Sequence, residues 1–142
     1  AAEPLIAELK EKYPKNTVVN SIWLPLIRAA AESGTSPERA LETLEINRQF
    51  EGASYFWDNY LRGKIYLKLS KPEQAAAEFQ KIAQNRGWAV HSPLFALAHG
   101  ELARIFEIQT DAENARKYSE QFAVFWKNAD ADLPARRQVK AK

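Results

Sequence analysis

Residues 60–82, Tyr60-Leu-Arg-Gly-Lys-Ile-Tyr-Leu-Lys-Leu-Ser-Lys-Pro-Glu-Gln-Ala-Ala-Ala-Glu-Phe-Gln-Lys-Ile82, constrain the fold more than any other stretch. Apolar residues recur at helical spacing on both sides of Ser70-Lys71-Pro72-Glu73, a turn with proline at the first position of the following helix. Gly63 stands three residues before Tyr66, Ala75 follows twelve residues after Gly63, and Phe79 comes four later. Small residues let two helices approach and bulky ones fill the groove between them. The segment therefore reads as a helical hairpin. A hairpin of this size cannot bury its apolar face alone and needs similar neighbours.

Those neighbours are legible as weaker copies. Ala40, Ala75 and Ala115 hold one position in three units, spaced 35 and 40 residues apart, and the five extra residues fall in the linker at 88–91. Where the middle unit has Gly63 the outer ones have Arg28 and Ala103; where it has Tyr66 they have Ala31 and Phe106; where it has Phe79 they have Leu44 and Ser119. The skeleton G-x2-Y…A-x3-F at a period near 34 resembles the tetratricopeptide repeat. The resemblance implies an all-α fold, a right-handed α-solenoid of antiparallel helix pairs with about seven helices.

The chain divides accordingly into one domain over 1–142. An orphan or capping helix lies in 1–14, with apolar Leu5, Ile6, Leu9 and Tyr13. Repeat 1 occupies 17–50. Asn16 or Thr17 caps its first helix, Pro25 sits inside that helix as a kink or a late start, and Ser36-Pro37 opens a second helix running to Phe50. Repeat 2 occupies 53–87, its first helix starting at Ser54. Repeat 3 occupies 92–127, opened by Ser92-Pro93 and turned at Thr110-Asp111, and a basic tail covers 128–142.

Composition removes several function classes. Lys and Arg number 20 against 18 Asp and Glu, interleaved rather than concentrated on one face, which disfavours nucleic acid. Absence of cysteine excludes disulfides and thiolate metal sites and leaves the compartment open. No apolar run reaches the roughly 18 residues of a membrane span. The chain has no methionine, an initiator included, which leads us to expect a processed or excised part of a longer polypeptide.

A narrower resemblance rests on Tyr13-Pro-Lys-Asn-Thr-Val-Val-Asn20, Trp23-Leu-Pro-Leu-Ile-Arg-Ala-Ala30, Ala76-Ala-Glu-Phe-Gln-Lys-Ile82, Leu94-Phe-Ala-Leu-Ala98 and Phe125-Trp-Lys-Asn-Ala-Asp-Ala-Asp-Leu-Pro134. These segments resemble the tetratricopeptide-containing C-terminal region of bacterial serine/threonine protein kinases of the acidobacterial type. The resemblance implies a sensory or scaffolding module joined to an N-terminal effector, a kinase or a DNA-binding domain, as a cytoplasmic or extracytoplasmic part of a parent for which a membrane anchor is one of the expected arrangements. The sequence has no Gly-rich phosphate loop, no His-Arg-Asp and no Asp-Phe-Gly, so any phosphotransfer belongs to another part of that parent.

No catalytic, cofactor or metal site is expected. His91 and His99 have only Glu101 nearby as a further ligand, and acids beside bases, such as Glu8/Lys12 and Glu113/Lys117, read as solvated pairs on helix surfaces. The expected function is a non-enzymatic interaction module for a protein or peptide. Ile22 with Pro25, then Trp57, Tyr60, Lys64 and Lys68, then Leu97, Glu101 and Arg104 fall on the face that first helices of such units share. Aromatic and basic groups together suit a peptide carrying a carboxylate. Two alternatives stand beside it: a nucleic-acid-associated regulator using Arg136, Arg137, Lys140 and Lys142, and a structural module that self-associates through its end helices.

Overall fold

The computed structural model describes residues 2–88, 92–130 and 133. Among them the fold is all-α: seven α-helices and no strand. They are α1 (Glu3–Lys12), α2 (Leu24–Glu32), α3 (Pro37–Glu45), α4 (Trp57–Lys68), α5 (Pro72–Gln84), α6 (Leu94–Ile108) and α7 (Ala112–Phe125). Successive helices from α1 to α7 pack on one another, and α4 also touches both α2 and α6. None of the described helices is long and apolar enough to cross a membrane. His91 and the basic tail residues Arg136, Arg137, Lys140 and Lys142 lie outside the described residues.

Pro25 leaves no gap in the helical segment, and the α-helix itself starts late, at Leu24, with Pro25 in its first turn. Residues 17–32 stay helical, but Val19–Trp23 widens to a π-turn in which the Leu24 N–H reaches back to the Val19 carbonyl. Proline lacks an N–H and its ring collides with a carbonyl one turn earlier. The wider turn makes room for that ring, and Pro25 takes a place in the first turn of α2. Asn16 caps the segment, its Oδ1 accepting from the Val19 N–H at 3.0 Å.

Two boundaries differ from the sequence reading. α3 stops at Glu45 and continues as a tighter 3-10 turn, Ile46–Phe50, in which the buried Asn47 donates to the Ile22 carbonyl at 3.0 Å. α4 begins at Trp57 rather than Ser54, because Tyr55 and Phe56 both adopt left-handed backbone, φ 53° and 65°. Bulky side chains are strained there, and Phe56 is held in it by burial at 5% exposure.

The two later turns share one geometry. Ser70 and Thr110 are left-handed at φ 56° and 60°, and the N–H of the next residue bonds the carbonyl five back, Lys71 to Tyr66 and Asp111 to Phe106, each at 2.9 Å. This is the six-to-one closure of a Schellman cap, satisfying a helix-end carbonyl.

The core has two parts that meet at α4. Ile65 packs with Leu26, Ala29, Ala40 and Leu44 from α2 and α3. On the other side Ala75, Phe79 and Ile82 of α5 join Leu94, Ala98, Leu102 and Ile105 of α6. Phe79 is fully buried, and its ring lies over Gly63 so closely that a Cβ there would stand 2.6 Å from the ring. In the third pair Ala103 is buried at the matching place, and Phe106 stacks on Tyr118 at 5.6 Å, beside the small Ser119.

Phe79→Ala is expected to lower stability by about 3–5 kcal/mol, the usual cost of emptying an aromatic site in a core. Gly63→Ala has a predicted sign opposite to that of an open helix. Alanine there normally gains about 1 kcal/mol, but the immobile ring turns the change into overpacking of about 1–3 kcal/mol. Urea denaturation reads both, and an unshifted midpoint in either variant overturns the Gly63–Phe79 pairing.

Candidate functional site

Along α4, Tyr60, Lys64 and Lys68 recur every fourth residue and share one side; on α6, Glu101 and Arg104 are one turn apart. The structure brings four of these together. Glu101 is the centre: its Oε1 accepts from Lys64 Nζ at 2.7 Å and from the Tyr60 hydroxyl at 3.5 Å, and its Oε2 faces Arg104 Nη1 at 3.4 Å. The Glu101 side chain is only 8% exposed, whereas those of Lys64 and Arg104 are 40% and 43% exposed. The anion is the floor and the two cations are the rim. Burial, and then the neighbouring Glu101 carboxylate, raise the Tyr60 hydroxyl above its ordinary pKa, so it stays protonated and donates.

The remaining residues of the expected face are not part of this quartet. Lys68 is exposed and reaches the other way, donating to the Ser33 carbonyl at 3.0 Å just past the end of α2. Trp57, the first residue of α4, is 45% exposed. Leu97 is half-buried against the larger core. Ile22 is a correction: it lies in the π-turn at 4% exposure and its carbonyl is taken by Asn47, so it offers no surface, and Pro25 is buried as well.

Glu8, Lys12, Glu113 and Lys117 are exposed, but three other carboxylates are buried in ionic contacts. Besides Glu101, Asp58 and Glu78 surround Arg62, whose side chain is fully buried. Arg62 Nη2 donates to Glu51 Oε1 at 2.8 Å, Nε lies 3.2 Å from Glu78 Oε2, Nη1 lies 3.7 Å from Asp58 Oδ2, and Nη1 also donates to the Leu44 carbonyl at 3.4 Å. Ser54 donates to Asp58, and Asn59 donates to Glu78 at 2.9 Å. At the edge of this cluster Lys81 bonds Glu51 at 3.0 Å and Arg48 bonds Glu45. The Arg48 contact holds the Glu45 carboxyl below its ordinary range. The only signal in the sequence was Asp58 and Arg62 four apart on one helix, a spacing that equally describes a surface pair.

His99 is enclosed too. At 3% exposure its ring meets Phe95 at 4.7 Å, Phe125 at 5.1 Å and Tyr118 at 5.8 Å, with the Arg86 guanidinium 5.7 Å from the Phe125 ring centre. Nδ1 contacts the Phe95 carbonyl at 2.7 Å, and since a carbonyl only accepts, Nδ1 carries the proton. Burial pushes this histidine below its ordinary pKa despite the carbonyl, so the ring is neutral near neutrality. Among the described residues no group of three or more His, Cys, Asp or Glu side chains converges to hold a metal ion.

No protein-family model matches the chain, and neither a curated protein nor a solved structure registers as a match to it.

Two outcomes follow from this geometry. Arg62→Ala leaves Glu51, Asp58 and Glu78 without their shared cation and is expected to destabilise by about 3–5 kcal/mol, measured by urea denaturation; a loss no greater than that of Arg39→Ala on the surface contradicts it. For His99 the folded-state pKa is depressed, so the unfolded chain binds the proton first and stability rises with pH. The melting temperature is therefore expected to fall as pH drops below about 6.5. His99→Gln is expected to flatten that limb of the profile, and an identical profile in the variant refutes the assignment.

Proposed function

We propose that the chain is a non-enzymatic interaction module, a tetratricopeptide-like right-handed solenoid whose α4–α6 face binds a peptide or protein segment carrying carboxylate groups. The observation that carries this reading is the Tyr60–Lys64–Glu101–Arg104 quartet. It joins two helices that are not consecutive in the chain, and it presents two half-exposed cations, with the exposed Trp57 two turns before Lys64 on α4. A rim of lysine and arginine with an aromatic neighbour is the chemistry that recognises carboxylates. The solenoid reading is supported by the Gly63–Phe79 seat, by the identical closures at Ser70 and Thr110, and by the contact of α4 with both α2 and α6. With the resemblance of its sequence to kinase-associated bacterial regions, we read the module as a regulatory or sensory part of a larger signalling protein.

Selection of a displayed random-peptide library against the folded chain tests the reading. Enriched peptides are expected to lose about tenfold or more in affinity to Lys64→Ala and to Arg104→Ala, the size of a charge-assisted contact. Peptides bound equally well by both variants would remove the α4–α6 face from the proposal, and a library from which nothing is enriched would remove the function.

A further inference from the structure

We infer that Glu101 is a built-in competitor at the α4–α6 face: its carboxylate already occupies the cations that a ligand carboxylate needs, and it thereby holds the affinity of the site for acidic segments down. This rests on the reading of that face as a binding site. Both oxygens of Glu101 are engaged, one by Lys64 and Tyr60 and the other near Arg104. The carboxylate lies under the rim with its side chain 8% exposed, so bulk water screens it less than it screens the cations above.

A ligand carboxylate arriving from solvent has to share Lys64 and Arg104, which brings it within about 4–6 Å of Glu101, where like charges near a protein surface repel appreciably. The opposing effect is that Glu101 holds two long side chains in place. Ion pairs with partners this exposed contribute little, so repulsion decides the sign. With Glu101 ionised the quartet carries one net positive charge from two cations and one anion; without it the charge is two. The chemical class governed by this device is the acidic peptide, and a neutral peptide on the same face is indifferent to it.

Fluorescence anisotropy with a fluorescein-labelled peptide of alternating glutamate and leucine, and with its glutamine-for-glutamate counterpart, tests this. Glu101→Gln is expected to bind the acidic peptide about three- to tenfold more tightly than the wild type, with the gain shrinking as salt is raised. The glutamine counterpart is expected to show no change. Glu101→Ala, also uncharged, carries the same expectation should Glu101→Gln lose its helical melt by circular dichroism. Equal or weaker binding of the acidic peptide by the uncharged variants, while Lys64→Ala still loses it, overturns the competitor and leaves the site standing. An equal gain for the glutamine counterpart also overturns the competitor. Absence of acidic-peptide binding to wild type and variants alike, or binding indifferent to Lys64→Ala, overturns the site and the inference together.

Discussion

A guanidinium with no access to water has to be matched by anions, and the position of Arg62 imposes that demand at the middle of the molecule. Its partners come from three places: Glu51 in the turn after the 3-10 segment, Asp58 one turn back on α4, and Glu78 on α5. Removing charges from water is expensive enough that such a cluster is weak evidence of net stabilisation, since an apolar filling of equal volume often does as well. What it does impose is alignment. A one-turn slip of α5 along α4 would move Glu78 away from Arg62 and from the Asn59 amide, and cost the buried guanidinium one of its three carboxylates. The Phe79 seat on Gly63 fixes the same register sterically, whereas the Ala, Leu and Ile contacts around it are non-directional.

This seam also accounts for the backbone around it. Ser54 and Asp58 bond each other across the left-handed pair Tyr55 and Phe56, closing the turn that delivers Glu51 to Arg62. Trp88 covers the same turn from outside. Its ring lies where a Cβ on Gly52 would be, at φ 91°, a site that only glycine occupies without strain. The strained segment is thus clamped by a polar contact within and an aromatic ring above.

Helices, turns and the small-against-large seat of Gly63 and Phe79 were legible because each is written by local periodicity or by residues with one conformational use, such as proline after serine. The α4–α6 quartet was partly legible for the same reason: Tyr60, Lys64, Glu101 and Arg104 follow helical spacing, and once two first helices are side by side their faces meet. The burial of Glu101 was not, since a glutamate near a lysine reads the same in solvent and in a floor. Nor was the Arg62 seam, whose partners lie 11 and 16 residues away along the chain, at Glu51 and Glu78, with no pattern to link them. Lys64 and Lys68 add a third case. Both were expected to await a ligand, yet one reaches forward to α6 and the other back to the end of α2, so their ammonium groups bridge the neighbours of α4.

The π-turn before Pro25 carries a consequence for phase. A single widened turn accommodates one extra residue without lengthening the bonded ladder, and each residue advances a helix by about 100°. Everything upstream of Leu24 is therefore rotated relative to a helix drawn at constant pitch. Ile22, expected on the shared face, is buried within that turn, and its carbonyl accepts from Asn47 of the 3-10 segment. The offset ends at Leu24, so Arg28 and Ala31, which stand where the middle unit has Gly63 and Tyr66, keep the phase of α2 and differ from that unit in residue type, whereas the residues before Leu24 differ from it in angle as well.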